Sequence, residues 1–393
     1  MSSNFRMAWL LSYISIASFS AAIITPALPQ IQLQFNLQNG QVEWMVSAFL
    51  IGYVIGQLIY GPLANRWGRV LALRIGLSIN LVGILICFAG FSMQSYWLLI
   101  MGRLVSALGA ASGLACTFML INEWLPESQC KTAMAYTILS FTLGIGLAVT
   151  IGGIITEYWQ WPACFLLLLI QGILMLWGTR MFSETLQQPL AINLKSIIQG
   201  YQQALTSGTL IIFSLVVGFC SVIGYCFSAA GPQIANDFLH LSAAQYGYWN
   251  LINMIGMLAG GLWAKKLLNQ LQASQVIDIG LAGTVLGIIS VIVMVYFNSS
   301  SAPWFFLSTL SLYLFSGLLF AGGSLVASNA VKDRASGSAM MSFINMSMAT
   351  LAVVLMGYLG ANPMLAFVKI LSGSWLMIVG LLCLQKLSEK RRS

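Results

Sequence analysis

Charged side chains inside long apolar segments are the residues of this sequence whose type and position could do chemistry. Only 7% of the 393 residues are charged. Arg103 nevertheless lies inside an apolar run, Glu43 opens another, and Lys369 lies near the start of a third. A charge within a membrane is costly and is retained mainly where it binds a ligand or pairs with another group. These three residues are therefore candidate substrate-binding or coupling positions.

The side chains needed for catalysis or for a metal centre are not grouped in this sequence. His240 is the single histidine, and the seven cysteines show no metal-ligand spacing. The sequence contains neither a Ser/His/Asp arrangement nor a phosphate-binding glycine loop. We therefore predict no enzyme activity, no metal, no cofactor and no direct use of ATP.

Twelve apolar segments must position these charges. Hydrophobic residues make up 59% of the chain, whereas a soluble domain carries about 25% charged residues. Each segment is close to the roughly 20 residues that a membrane-spanning helix requires. The predicted spans one to twelve are 8–28, 42–61, 71–92, 97–120, 132–153, 162–179, 209–230, 244–263, 275–297, 303–327, 337–360 and 364–385.

The distribution of basic residues orients these spans. With a cytoplasmic N-terminus, all 17 lysines and arginines except Arg103 and Lys369, hence 15, fall on the cytoplasmic side, as the positive-inside rule expects. The sequence thus predicts an all-α membrane protein in an inner (cytoplasmic) membrane of bacterial type, with both termini cytoplasmic. The net charge of +8 is then a topology signal. No nucleic acid is expected as a partner, because no basic stripe with interleaved aromatic residues is present.

The longest break between spans divides the chain into two halves. We predict an N-terminal six-helix half at 1–180, a cytoplasmic linker at 181–208 and a C-terminal six-helix half at 209–393. The stretch "ALPQIQLQFNL" precedes span two and "AGPQIANDFLHL" precedes span eight. This echo indicates an internal duplication, and the amphipathic part of the linker is expected to lie on the inner membrane surface.

The stretch "GPLANRWGRV" carries charges between spans two and three. We interpret residues 61–74 as a cytoplasmic turn in which Gly61 and Gly68 permit close approach and Arg66 and Arg69 anchor the inner face. The stretch resembles the loop signature of the major facilitator superfamily, roughly G-x-L-a-D-R-x-G-R. Asn65 stands where that signature usually has aspartate.

The resemblance implies a monomeric secondary transporter that alternates access to a central site and is driven by protons. In this superfamily the loop is thought to lock one state through charge pairing. Asn65, Arg66 and Arg69 are therefore expected to take part in gating, together with Gly61 and Gly68. The first half is most similar to the bicyclomycin-type drug-resistance exporters, on "WMVSAFLIGYVIGQLIYGPLANRWGR" and "GRLVSALGAASG". Those exporters often carry an aspartate in span one, where this chain has Ala22.

Several candidate residues have more than one interpretation. Arg103 matches a superfamily position linked to substrate binding and proton coupling, or it pins helices by bonding backbone carbonyls. Glu43 is a partner for Arg103, a proton carrier or an interfacial cap. Lys369 lines a cavity or anchors span twelve at the membrane surface.

Residues at the inner membrane face and in mid-span are further candidates. Glu123 is expected to pair with Arg66, Arg69 or Lys131 as part of a gate, and Asp278 with Lys265 or Lys266. Asn253 and Asn345 lie in mid-span and either bridge helices or contact a substrate. We predict proton-coupled efflux of a drug-like small molecule, with an anionic metabolite such as a polycarboxylate siderophore or organic acid as the alternative, in either direction. A membrane enzyme, a receptor or a channel fits less well.

Overall fold

The computed structural model describes residues 3–38, 40–188, 194–331, 334–360 and 362–390. Within this part of the chain, twelve helices are long and apolar enough to cross a membrane, which confirms the predicted all-α architecture. Five residues of the predicted linker, 189–193, and the basic residue Lys332 lie outside the described residues.

Most of the helices are longer than the predicted spans, whereas the helix of span six is slightly shorter. A short helix, Ser3–Ser12, precedes span one. Span one consists of Ser15–Ala22, a 3-10 turn at Thr25–Ala27, and Leu28–Gln34. Spans two to six are Trp44–Trp67, Arg69–Ser92, Tyr96–Trp124, Glu127–Tyr158 and Ala163–Gly178. Spans seven to twelve are Gly208–Asp237, Ala243–Leu268, Ala273–Tyr296, Ala302–Ser328, Arg334–Gly357 and Pro363–Lys390.

Span one is broken and extends beyond its predicted end at residue 28. Pro26 lies at the break and has no N–H to donate to the carbonyl of Ala22. The hydroxyl of Thr25 donates to that carbonyl instead, at 2.8 Å. The break therefore follows from a proline and is compensated by a neighbouring side chain.

Small residues set the packing of spans two, three and four. A Cβ on Gly109 of span four would overlap the backbone nitrogen of Asn80 in span three. Asn80 also donates from its side chain to the carbonyl of Ser106, at 2.8 Å. Close backbone approach through small residues is how membrane helices associate when lipid removes the hydrophobic driving force.

The chain forms two compact units. Unit one comprises Met1–Gln38, Trp44–Asn193 and Leu241–Leu251, and unit two comprises Asn39–Glu43, Leu194–His240 and Ile252–Ser393. Each unit thus includes a short segment whose sequence neighbours belong to the other unit.

The short segments are closely packed in the units that hold them. In unit one, Thr150 donates to the carbonyl of Gly247 at 3.0 Å, and the carboxylate of Glu157 accepts the N–H of Ala244 at 2.8 Å. In unit two, Gly40 has φ 86° and lies against the backbone of Gly357.

The described part of the linker contains one helix, Leu194–Leu205. It belongs to unit two and packs against spans seven and eleven. Ala204 is buried, whereas Lys195 and Ile198 are exposed, so this helix presents one packed face and one open face.

Candidate functional site

Spans two and three are joined through a single residue, Gly68. Span two continues to Trp67 and span three begins at Arg69, with Gly68 at φ 111° between them. This conformation favours glycine. The interpretation of Gly61 as a turn residue is wrong, because Gly61 is helical and a Cβ there would meet nothing within 4 Å.

A carboxylate from the segment after span six caps the start of span three. Glu184 accepts the N–H groups of Arg69 at 2.8 Å and of Val70 at 3.1 Å, and also those of Thr185 and Leu186. The first N–H groups of a helix have no partner within it and favour negative charge. Burial opposes ionisation of Glu184, but these backbone donors outweigh it and lower its pKa.

Arg69 and Glu123 form a bidentate ion pair at the C-terminal end of span four. The two contacts measure 2.9 Å from Nε and 2.8 Å from Nη2 to the Glu123 carboxylate, and Thr185 donates to the same carboxylate at 2.6 Å. The sequence analysis named three candidate partners for Glu123, and in the structure Glu123 pairs with Arg69. Arg66 is exposed and Asn65 partly buried, both in the last turn of span two.

The sequence analysis missed Glu184 and Thr185. Both follow the sixth span in "FSETLQQ", more than a hundred residues after Arg69. An isolated acid just beyond a span is the only signal that could have indicated a helix-capping role.

Arg103 is completely buried at the break in span one. Its guanidinium donates to the carbonyls of Ser20 at 2.8 Å, Ala21 at 3.3 Å and Met45 at 3.3 Å. The ring of Phe49 lies 4.4 Å from its guanidinium carbon. These partners belong to spans one and two, so Arg103 joins span four to both.

The hydrogen bonds of Arg103 satisfy backbone carbonyls at the C-terminal end of the helix Ser15–Ala22. The last four carbonyls of a helix have no donor within it. Here the carbonyl of Phe19 accepts the N–H of Ile23, those of Ser20 and Ala21 accept from Arg103, and that of Ala22 accepts from Thr25. The geometry therefore corresponds to the helix-pinning interpretation of Arg103. The described hydrogen-bond acceptors of Arg103 are carbonyls of unit one.

Glu43 is buried in unit two, immediately before span two begins. Its exposed fraction is 8%. A small cavity lies next to Glu43 and is lined by residues near Glu43 and by residues at the ends of spans seven, eleven and twelve. The lining residues are Gly40, Glu43, Ala230, Gln233, Met356, Gly360, Pro363 and Ala366. Burial raises the pKa of Glu43, and backbone hydrogen bonds at Glu43 itself and at Gly40 oppose that rise.

The remaining candidates occupy separate positions in unit two. Asn253 is buried and accepts the hydroxyl of Thr309 at 2.8 Å, so it bridges spans eight and ten. Asn345 is also buried, and its Oδ1 has no hydrogen-bond partner among the described residues. Lys369 is exposed on span twelve, as expected for an anchor.

Two further expectations concern ionic groups. Asp278 pairs with Lys386 at 3.1 Å, so the expected pairing with Lys265 or Lys266 is wrong. Span twelve supplies this partner because it packs against span nine. No group of three or more His, Cys, Asp or Glu residues in the described ranges could hold a metal ion.

Comparisons with known proteins agree on the family. The family model described as "Major Facilitator Superfamily" matches residues 10–355. "Multidrug resistance protein D" of Escherichia coli (strain K12) is 26% identical over 161 residues, which are 41% of this chain and 40% of that protein. "D-xylose transporter" of Levilactobacillus brevis is 34% identical over 157 residues, 37% of this chain and 32% of that protein. The alignments thus span less than half the length of these two relatives.

The solved structures extend the likeness to the fold of the whole chain. The crystal structure of a D-xylose-proton symporter superposes with a TM-score of 0.76 and 16% sequence identity. It covers 96% of this chain, and 97% of that chain is matched.

Proposed function

Because the chain belongs to the Major Facilitator Superfamily and is a multi-pass membrane transporter rather than an enzyme, we propose that it exports an uncharged, drug-like small molecule in exchange for protons. It does so as a monomer in the inner membrane, with both termini in the cytoplasm. Export is supported by the likeness of its first half to the bicyclomycin-type exporters and by the likeness of 161 of its residues to multidrug resistance protein D.

The observation that carries the substrate class is the position of Arg103. An anionic substrate requires a cation that can reach it, because an unpaired charge in a low-dielectric site is costly. The Arg103 guanidinium is completely buried, and its donors are directed at three carbonyls. Arg103 therefore does not supply a countercharge for a carboxylate. This weighs against the polycarboxylate or organic-acid alternative.

Uncharged substrates other than drugs form the second candidate. It is favoured by the likeness to the D-xylose transporter of Levilactobacillus brevis. Such a substrate could move inward with protons, so the direction of transport separates the two candidates.

Proton movement in inverted membrane vesicles tests both candidates. Vesicles are energised to an acidic interior and read with a pH-sensitive dye, and vesicles without the protein serve as the control. An uncharged drug, a cationic drug, D-xylose and a tricarboxylate are added in turn. Proton leak with the uncharged drug, together with its accumulation inside, is the expected result. Leak with the tricarboxylate alone would overturn the substrate class, and uptake only into right-side-out vesicles would overturn the direction.

A further inference from the structure

Two arginines of unit one adjoin the same residue where spans three and six meet. Arg74 of span three donates from Nε to the hydroxyl of Thr179 at 2.9 Å and from Nη2 to the carbonyl of Thr179 at 3.3 Å. Arg180 is the next residue along the chain, in the 3-10 turn that follows span six, and it is exposed. Thr179 itself is fully buried, so the two arginines lie at the edge of a packed junction.

The positive charge at this junction is not balanced by the described residues. Among them, neither Arg74 nor Arg180 has an ion-pair partner. Glu184, the nearest acid along the chain, accepts four backbone N–H groups, two of them at the start of span three. The two arginines thus carry charges that no described side chain neutralises.

The N-terminal segment fixes the membrane face on which these arginines lie. The indole of Trp9 donates to the carbonyl of Gly178, the last residue of span six, at 3.4 Å. The hydroxyl of Tyr13 donates to the carbonyl of Met175 at 2.6 Å. The C-terminal end of span six, and Arg180 with it, is therefore on the same membrane face as the N-terminus.

Spans three and six run antiparallel and pack against each other along their length. Arg74 contacts Thr179 at one end of the pair. Seven residues further along span three, Leu81 lies against Gly172, which is seven residues earlier on span six. These two contacts fix both the register and the rotation of the two helices.

The residues that follow these contacts lie on one side of the pair. Each helical residue is rotated by about 100° from the one before it, and in an antiparallel pair an equal rotation brings both helices to the same side. Val82, Ile173 and Arg180 each directly follow a contact residue, so they share that side. Both spans expose apolar side chains there and nearby. The exposed fractions are 63% for Trp177, 52% for Ile173, 48% for Ile170, 52% for Val82 and 52% for Leu85.

This combination of charge and apolar surface fits a phospholipid. Basic sites between membrane helices bind anionic headgroups, and a guanidinium offers a fork of donors that matches a phosphate. Trp177 precedes Arg180 by three residues, and tryptophan is typical of the boundary between headgroups and acyl chains. A zwitterionic headgroup carries its own ammonium, which would meet two like charges. The unbalanced arginines therefore favour a lipid of net negative charge.

We propose that Arg74 and Arg180 bind the headgroup phosphate of one anionic phospholipid, whose acyl chains lie along Trp177, Ile173 and Val82. The lipid supplies the counter-ion that the described residues lack here, and it links span three to the end of span six. This inference goes beyond the proposed function, because it concerns the outer surface of unit one and holds for any substrate.

Native mass spectrometry counts the bound lipid directly. The full chain is released from nanodiscs of equal parts phosphatidylglycerol and phosphatidylethanolamine, as wild type, Arg180→Gln and the control Lys266→Gln. Arg180 has no hydrogen bond or ion pair with described residues, so Arg180→Gln should leave the fold intact. Lys266 is a matched exposed cation in the last turn of span eight.

Wild type should retain one phosphatidylglycerol in preference to phosphatidylethanolamine. Arg180→Gln should weaken this binding about fivefold, the factor for about 1 kcal/mol per basic residue near an anionic membrane. Arg74→Gln should weaken it by at least the same factor, and Lys266→Gln should have no effect. Equal retention of the two lipids by wild type, undiminished binding in either arginine variant, or an equal loss in Lys266→Gln would overturn the proposal.

Tryptophan fluorescence locates the lipid on the surface. Phosphatidylglycerol or phosphatidylethanolamine with brominated acyl chains is incorporated, and quenching is compared between wild type and Trp177→Phe, because the chain has 12 tryptophans. We expect extra quenching by the brominated phosphatidylglycerol in wild type and Lys266→Gln. This extra quenching should be absent in Trp177→Phe and reduced in Arg180→Gln. Extra quenching that survives in Trp177→Phe would place the lipid elsewhere and refute the assignment.

Inorganic phosphate distinguishes a lipid site from a site for a free anion. Millimolar phosphate added before release should leave the bound phosphatidylglycerol in place, because the acyl chains add apolar burial that a free anion lacks. Displacement of the lipid by phosphate alone would show that the arginines select a soluble anion, against the proposal.

Discussion

Replacing Arg103 by lysine distinguishes a pin at the break in span one from a substrate ligand. Lysine retains the positive charge and the long side chain, but its ammonium is a point donor that cannot reproduce the fork of a guanidinium. Arg103 donates through three nitrogens to carbonyls on two spans, at 2.8 Å, 3.3 Å and 3.3 Å. A single ammonium can keep the shortest of these contacts and loses the other two.

The expected loss of stability follows from those two contacts. Hydrogen bonds between membrane helices contribute about 0.6 kcal/mol on average and up to about 1.7 kcal/mol. Arg103→Lys should therefore lower the free energy of unfolding by about 1–3 kcal/mol. A substitution that removes only a substrate contact would leave the free energy of unfolding unchanged in the absence of substrate.

The second donor at the break provides an internal comparison. Thr25→Val removes the hydroxyl that donates to Ala22 and should cost about 0.6–1.7 kcal/mol. Arg103 and Thr25 both donate to carbonyls at the same helix end. The loss of unfolding free energy in the double variant of Arg103→Lys and Thr25→Val should therefore differ from the sum of the two single losses by about 0.5 kcal/mol or more.

Equilibrium unfolding in mixed micelles measures these free energies, and amide exchange over residues 15–27 localises the effect. We expect faster exchange across the break in both single variants. Wild-type stability of Arg103→Lys combined with unchanged exchange at 15–27 would refute the pinning argument, and loss of transport alone would then favour a substrate-binding role.

Three further predictions concern the junction of spans two and three and unit two. Gly68→Ala should lower the free energy of unfolding by about 1–3 kcal/mol, because Gly68 has a positive φ and the Glu184 carboxylate lies against it. The control Gly61→Ala should leave the stability unchanged or raise it by up to about 1 kcal/mol, because Gly61 is helical and has open space around it. Thermal unfolding compares the two variants. The lowered pKa of Glu184 predicts a contribution to stability that is present above the ordinary glutamate pKa and lost as pH falls through the lowered one. Unfolding midpoints against pH should show this loss in wild type but not in Glu184→Gln, and equal profiles would count against the capping role. Thr309→Val removes the hydroxyl that donates to Asn253 and should lower the free energy of unfolding by about 0.6–1.7 kcal/mol. A double-mutant cycle with Asn253→Ala should show coupling between the two positions.

Local composition was sufficient to predict the twelve spans, because apolar length decides which segments enter a membrane. Gly68 could be assigned to a turn from its flanking arginines, but Gly61 could not be separated from it by residue type. The difference between them is the length of span two, which runs to Trp67.

Contacts between residues that are far apart in the sequence could not be predicted from local sequence patterns. Arg103 was singled out by its charge, yet its acceptors are backbone carbonyls exposed by the break near Pro26, and no residue type marks a carbonyl as available. Glu184 contacts Arg69 only because the four spans from three to six return the chain to the same membrane face. The burial of Glu43 depends in the same way on Gln233 and on spans that follow it by hundreds of residues.

The assignment of Leu241–Leu251 to unit one has a consequence for biosynthesis. Ribosomes add about 5–20 residues per second, so spans one to six are in the membrane seconds before this segment emerges. During that interval the hydroxyl of Thr150 cannot yet donate to the carbonyl of Gly247. The carboxylate of Glu157 likewise cannot yet accept the N–H of Ala244. Unit one therefore reaches its complete set of contacts only after span eight has begun to insert, and a chain truncated after span six is expected to be the more readily degraded intermediate.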